Sequence, residues 1–205
     1  MAGKVSNVFR RDRTEALADG IFATVMTILV LSLVVPAVIG PNTDVELKVQ
    51  LYNLLPNLLA YVVTFIFLGI LWIGHQSILG RIEKFDIKIL MINLILLMSV
   101  GLIPFSTALL GKYPLVPIAN LVYGVNGLGI NILYDILWFY PRRRHLISQE
   151  PSQTAPVFQL RIAFFGPTVY ALAIAFAYVS TYISLALFFS VTAFYIVFAA
   201  RYAHQ

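Results

Sequence analysis

The chain has no cysteine, which removes disulfide frameworks, iron–sulfur clusters and thiol chemistry from consideration. Charge is scarce as well. Only 11% of the 205 residues are charged, against about 25% in soluble domains. Of three histidines, only His75 falls inside an apolar run, so a metal site would lack ligands. No paired-carboxylate motif, nucleophile elbow or histidine-rich cluster is present, and no enzyme constellation emerges. The glycines around Gly124, Gly127 and Gly129 have no P-loop lysine or strand beside them, so they do not read as a phosphate loop. A Thr-Val-Gly-Tyr-Gly type filter loop is also missing. The aromatic residues sit within apolar runs and not among basic ones, which argues against a nucleic-acid partner.

What the chain does have is long apolar segments. The hydrophobic fraction is 60% and the mean hydropathy +0.87, the composition of an integral membrane protein. Spans of about 20 apolar residues cross a bilayer, and six are read here: 17–39, 51–78, 87–110, 115–140, 157–179 and 182–200. Together they form one six-span domain over residues 1–205, all-α. No small-residue cleavage site interrupts the first span, which therefore reads as retained.

The basic residues sort with this count. With the N-terminus inside, Lys4, Arg10, Arg11, Arg13, Arg81, Lys84, Lys88, Arg142, Arg143, Arg144, Arg161 and Arg201 fall on the cytoplasmic side. Only Lys48 and Lys112 fall outside. Positive-inside bias predicts this orientation, with both termini cytoplasmic. It also accounts for the Arg142–Arg144 cluster without a lipid-headgroup or nucleic-acid role.

The first span opens on Asp19 and Gly20. An aspartate at the centre of a membrane helix costs roughly 2.5–3.5 kcal/mol. Near the end the cost is smaller, but a partner is still expected. Arg13, His75 and Trp72 are the candidates, with His75 forming a hydrogen-bonded lock at the same depth. Beyond Gly20, at about 100° per residue, Thr24, Thr27 and Leu31 share a narrow stripe with it, and Ile28 lies at the edge. Such a stripe suits a pore lining, or threonines that cap carbonyls on a face packed against a neighbour. In the second span Tyr61, Thr64, Phe65, Leu68, Trp72 and His75 recur every three or four residues. In the third, Pro104 breaks the helix ladder beside Ser106 and Thr107, which can satisfy freed carbonyls. Asp135 is the other acid inside a span, and the Arg142–Arg144 cluster is its expected partner. Gly124, Gly127 and Gly129, with Asn126 and Asn131, predict close helix packing.

Several of these residues, in this order, resemble the transmembrane protein 175 family of endosomal/lysosomal and prokaryotic potassium channels. The family opens its first span with Arg-x-x-x-Phe-Ser-Asp-Gly and an Ala-Ile-x-x-Thr-Leu-Leu-Val-Leu type run. Matching residues are Arg13, Asp19, Gly20, Ala23, Thr27, Leu29, Val30 and Leu31, followed by Trp72 with His75, Asn93-Leu94 and Pro104-Phe105. The resemblance implies a pore lined by the first helix, here Thr24, Thr27, Ile28 and Leu31, with no reentrant loop. Arg13, Asp19, Gly20, Trp72 and His75 would brace that helix. A single-repeat chain would assemble as a homotetramer in the cell membrane and pass K⁺, with no cofactor beyond the permeant ion. Leu17 and Ala18 replace the family's Phe and Ser, and Thr24 replaces an Ile or Leu at the innermost pore position. A ring of Thr24 hydroxyls would wet that level. The alternatives are a proton-permeable or weakly selective cation channel, a secondary transporter binding substrate around Asp19 and His75, and a non-conducting scaffold.

Overall fold

The computed structural model describes residues 11–38, 43–147 and 164–202, with side chains as far as Val197. In chain order the helices are α1 (Arg11–Ile28), a 3₁₀ turn (Leu29–Ser32), α2 (Thr43–Asn53), α3 (Leu55–Leu79), α4 (Ile87–Gly101), α5 (Ile103–Lys112), α6 (Pro117–Arg143), α7 (Phe165–Phe176) and α8 (Thr181–Tyr202). Among the described residues four segments are long and apolar enough to cross a membrane: 11–32, 55–79, 87–112 and 117–143. Two shorter apolar helices, Phe165–Phe176 and Thr181–Val197, follow them. The chain is a multi-pass membrane protein.

The helix boundaries depart from the sequence reading in instructive ways. The first helix ends at Ser32, not at Ile39, and 34–38 has no regular structure. Ile39 itself lies outside the described residues, as do residues 157–163 of the fifth span, together with Lys4, Arg10 and Arg161. The second membrane helix starts at Leu55 and not Leu51, because Pro56 occupies its first turn. There the missing N–H costs nothing. Residues Thr43–Asn53 form a separate helix with no buried residue, carrying an exposed Asp44–Lys48 ion pair of 2.7 Å. The expected break at Pro104 splits the third span at Leu102 into α4 and α5. Ser106 Oγ donates to the Ile103 carbonyl at 3.1 Å, as a hydroxyl beside a proline break should.

α3, α5 and α6 form the centre of the bundle, with α1 packed on α3, α4 and α5, and α7 and α8 packed on α6. The core residues include Phe22, Leu29, Leu68, Leu96, Ile130, Leu137 and Tyr170. Glycine lets α6 approach its neighbours. A Cβ on Gly127 would collide with the Tyr170 ring, and one on Gly124 would lie 2.7 Å from Ile174 Cγ1. Gly129, by contrast, faces open space within the chain. Asn131 Nδ2 donates to the Gly127 carbonyl at 2.8 Å, and Asn126 Nδ2 to Ser106 Oγ at 3.2 Å.

The start of α1, the end of α3, the start of α4 and the end of α6 meet at one basic end of the bundle. Arg11 reaches Gly80, and Ile82 pairs with Ile147 in an isolated antiparallel bridge. Arg81 and Arg142 both lie over the Trp138 ring, at 5.5 and 5.9 Å from its centroid. Among the described residues no ion pair joins Asp135 to the Arg142–Arg144 cluster, its expected partner.

Candidate functional site

α1 has two unlike faces. Thr14, Ala18, Phe22 and Val25 are buried, and Leu29 continues the stripe into the 3₁₀ turn. The steps of four, four, three and four residues trace one side of an α-helix. The other side carries Leu17, Gly20, Thr24, Thr27, Ile28 and Leu31, all open within the chain. Leu31 is 72% exposed and Ile28 45%. A shallow groove bounded by Leu17, Gly20 and Thr24 runs along this face. Among the described residues nothing lies within 4 Å of a Cβ built on Gly20. The four residues Thr24, Thr27, Ile28 and Leu31 therefore share one unpartnered surface.

Their register differs from that of a continuous α-helix. Past Ile28 the chain tightens to 3₁₀ geometry, in which residues three apart eclipse one another at about 2.0 Å rise per residue. Leu31 is thereby brought over Ile28, one level ~6 Å further along, whereas a uniform α-helix would leave Ile28 at the edge of the stripe. Thr27 Oγ1 donates to the Thr24 carbonyl at 2.8 Å, which satisfies a carbonyl in the turn where the helix changes pitch.

Asp19 is held from α3. Trp72 Nε1 donates to Asp19 Oδ1 at 2.8 Å, and Gln76 Nε2 donates to the same oxygen. Trp72 and Gln76 are four residues apart and so share a face of α3. Gln76 was not singled out by sequence reasoning; its spacing from Trp72 was the available signal. Arg13 is not among Asp19's hydrogen-bond partners in the described residues. Six residues at about 100° each put the two side chains on different flanks of α1. Arg11 instead pairs with Glu15, at 2.7 Å.

His75 lies next to Gln76 but points inward. It is fully buried, and its Nε2 lies 2.7 Å from Asn93 Oδ1 on α4. A carboxamide oxygen can only accept, so Nε2 carries the proton. The expected His75–Asp19 lock is thus two locks side by side. Asp19–Trp72–Gln76 ties α1 to α3 at the surface, and His75–Asn93 ties α3 to α4 in the core. Phe22 of α1 packs on the inner one, its ring centroid 5.7 Å from that of His75. Among the described residues no group of three His, Cys, Asp or Glu could hold a metal ion.

Three comparisons bear on this arrangement. Residues 13–104, which hold the α1 face and both locks, match the family model described as endosomal/lysosomal potassium channel TMEM175. A potassium channel of Streptomyces collinus is 33% identical over 181 residues, 85% of each chain. One of Chamaesiphon minutus is 32% identical over 86% of this chain and 89% of its own. The endosomal/lysosomal proton channel TMEM175 of Gallus gallus is 24% identical over 81% of this chain, which matches only 34% of that protein. The crystal structure described as a lysosomal potassium-selective channel TMEM175 homolog from Chamaesiphon minutus superposes with a TM-score of 0.76 at 29% identity, covering 91% of this chain and 96% of that one. With a closely similar fold over most of both chains, and a third of the residues shared with bacterial relatives, this chain belongs to the TMEM175 family.

Proposed function

We propose that this chain is one subunit of a K⁺-permeable cation channel in the cell membrane, closed by four copies around an axis lined by α1. The observation that carries this reading is the open face of α1, a hydroxyl and aliphatic stripe on a helix whose opposite side is fully packed. A single helix cannot enclose a pore, and symmetric closure brings the same face of each copy to one axis. Ile28 and Leu31, stacked by the 3₁₀ turn, would form two successive apolar rings. Rings of this kind gate by dewetting. Thr24 and Thr27 would line the wetter half, towards Asp19. The anchor of Asp19 on Trp72 and Gln76, with His75–Asn93 behind it, braces α1 near its middle, beside Gly20 and on the N-terminal side of the stripe. Positive-inside sorting puts the N-terminal end of α1, and both termini, in the cytoplasm. K⁺ is the permeant ion and no cofactor takes part. The bacterial relatives are named as potassium channels.

A second reading, a proton-permeable or weakly selective channel, is favoured by one feature, the Thr24 hydroxyls on the open face. The vertebrate relatives are named as proton channels. Single cysteines at positions 24, 28 and 31 test the pore assignment directly, because the chain has none of its own. In planar bilayers, water-soluble thiol reagents are expected to reduce the current at all three. Loss of current only at positions on another helix would remove α1 from the pore. Reversal potentials under K⁺/Na⁺ and pH gradients separate the two readings. A shift that follows K⁺ supports the first, and one that follows pH supports the second.

A further inference from the structure

Away from α1, a cavity of about 310 Å³ opens between α3, α5, α6 and α8 at the end of the bundle where α3 begins. Its mouth is formed by Leu59, Leu115 and Phe189, which are 55%, 51% and 38% exposed. Its floor is formed by Phe188, Thr64 and Tyr123, all buried. No charged side chain lines it. The only hydroxyls at the floor already serve each other. Thr64 Oγ1 lies 3.3 Å from Tyr123 Oη and accepts from Thr107 Oγ1 at 3.3 Å. The site thus offers a ligand apolar contact and little else. Two close approaches build it. Gly111 of α5 lies against the Asn57 backbone of α3, and Gly124 of α6 lies against Phe188.

We infer that this cavity seats one acyl chain of a membrane phospholipid. Its size is that of a ligand pocket, about 300 Å³ or more. From Pro56 to Thr64 it runs ~12 Å along α3 at 1.5 Å per residue, close to one leaflet of a ~30 Å hydrocarbon core. An apolar cavity gains nothing from water, and a void forfeits dispersion contacts that a chain restores. The headgroup has a place too. Leu110 and Pro114 line the cavity, and between them stand exposed Lys112 and Tyr113, with the ammonium 5.5 Å from the ring centroid. A lysine and a tyrosine at this level are the residues that anchor at the headgroup layer. No residue of α1 takes part, so the site stands independently of the channel reading.

The test uses the full chain in liposomes containing phosphatidylglycerol with a diazirine near the end of one acyl chain, followed by peptide mapping after irradiation. Labelling is expected to concentrate on 59–64 and 115–123, at least fivefold above Leu94 and Met98 on the exposed face of α4. Ala60→Phe, which fills the cavity, is expected to remove that excess and leave the Leu94 and Met98 labelling unchanged. Lys112→Gln is expected to lower labelling by the phosphatidylglycerol probe but not by a diacylglycerol with the same chain. Even labelling along all exposed apolar faces of the wild-type chain overturns the proposal, whether or not the variants fold. So does labelling that Ala60→Phe leaves intact. Disulfide-linked dimers formed by Leu115→Cys would show that a second copy covers the mouth, and would overturn it as well.

Discussion

The two faces of α1 follow different rules although they alternate within the same 22 residues. The packed face is ordinary core: small and apolar side chains step by three and four, and Phe22 and Leu29 are at most 1% exposed. The open face mixes glycine, threonine and aliphatic residues, all exposed among the described residues. Lipid alone would favour large apolar side chains there, and of the two hydroxyls that of Thr27 alone has a partner among the described residues, the Thr24 carbonyl. A face held against other copies of α1, around water and ions, tolerates both. The contrast teaches that burial within one chain marks what folds it, and that residues which look misplaced on a folded chain mark what it assembles or conducts with.

If that division is right, substitutions on the two faces should fail in different assays. The largest effect on assembly is expected from Phe22→Ala. Removing a fully buried phenylalanine costs about 3–5 kcal/mol in packed cores, and the His75 ring would keep Tyr134 but lose Phe22 as a neighbour. The yield of folded protein in size-exclusion chromatography is expected to fall steeply. Normal yield with altered current would place Phe22 on the conducting side and break the comparison. Asp19→Ala comes next. It leaves Trp72 Nε1 and Gln76 Nε2 without their acceptor, at about 1–3 kcal/mol in total. Less oligomer in detergent is expected, with K⁺ preference retained in the channels that form. Asp19→Asn, which keeps an acceptor oxygen, is expected to recover most of the yield. Wild-type yield together with lost K⁺ preference would make Asp19 part of the conduction path and not an anchor.

Much of this was legible in the chain. Apolar runs gave the bundle, and the proline at 104 gave the break between α4 and α5, because helix continuity depends on a missing N–H that the sequence states outright. The glycines of α6 pointed to close packing for a similar reason. Pairing across helices was legible only in part. Trp72 stands among the expected partners of Asp19 and does donate to it, whereas Arg13, the natural partner by charge, is separated from it by rotation about α1, and the second donor, Gln76, carries no charge that would mark it. His75 reads from the sequence as a polar lock on Asp19 inside a span, yet its partner is Asn93, on a helix whose placement no local pattern fixes. The 3₁₀ turn at Leu29–Ser32 was equally hidden. Its apolar sequence, Leu-Val-Leu-Ser, suits an α-helix as well, so the alignment of Ile28 with Leu31 became visible only in three dimensions.

The smallest effect on assembly, and the sharpest division between the faces, is expected at Thr24. Its side chain is open within the chain, and among the described residues it makes no contact that folding requires. Only its carbonyl is used, by Thr27 Oγ1, and an isoleucine supplies the same carbonyl. Thr24→Ile should therefore leave yield, oligomer size and thermal midpoint within the scatter of ordinary surface substitutions, about 0.5 kcal/mol. Its effect belongs to current. In the proposed fourfold pore, four isoleucines would replace four hydroxyls one turn from the Ile28 level and extend the dry section, so single-channel conductance is expected to fall. Proton leak should fall further than K⁺ current, because a chain of waters through that level depends on the hydroxyls to hold it. Equal conductance in wild type and Thr24→Ile, measured in bilayers from protein of equal oligomer yield, would show that the open face of α1 is a lipid or subunit contact, and the pore would have to be sought on another helix.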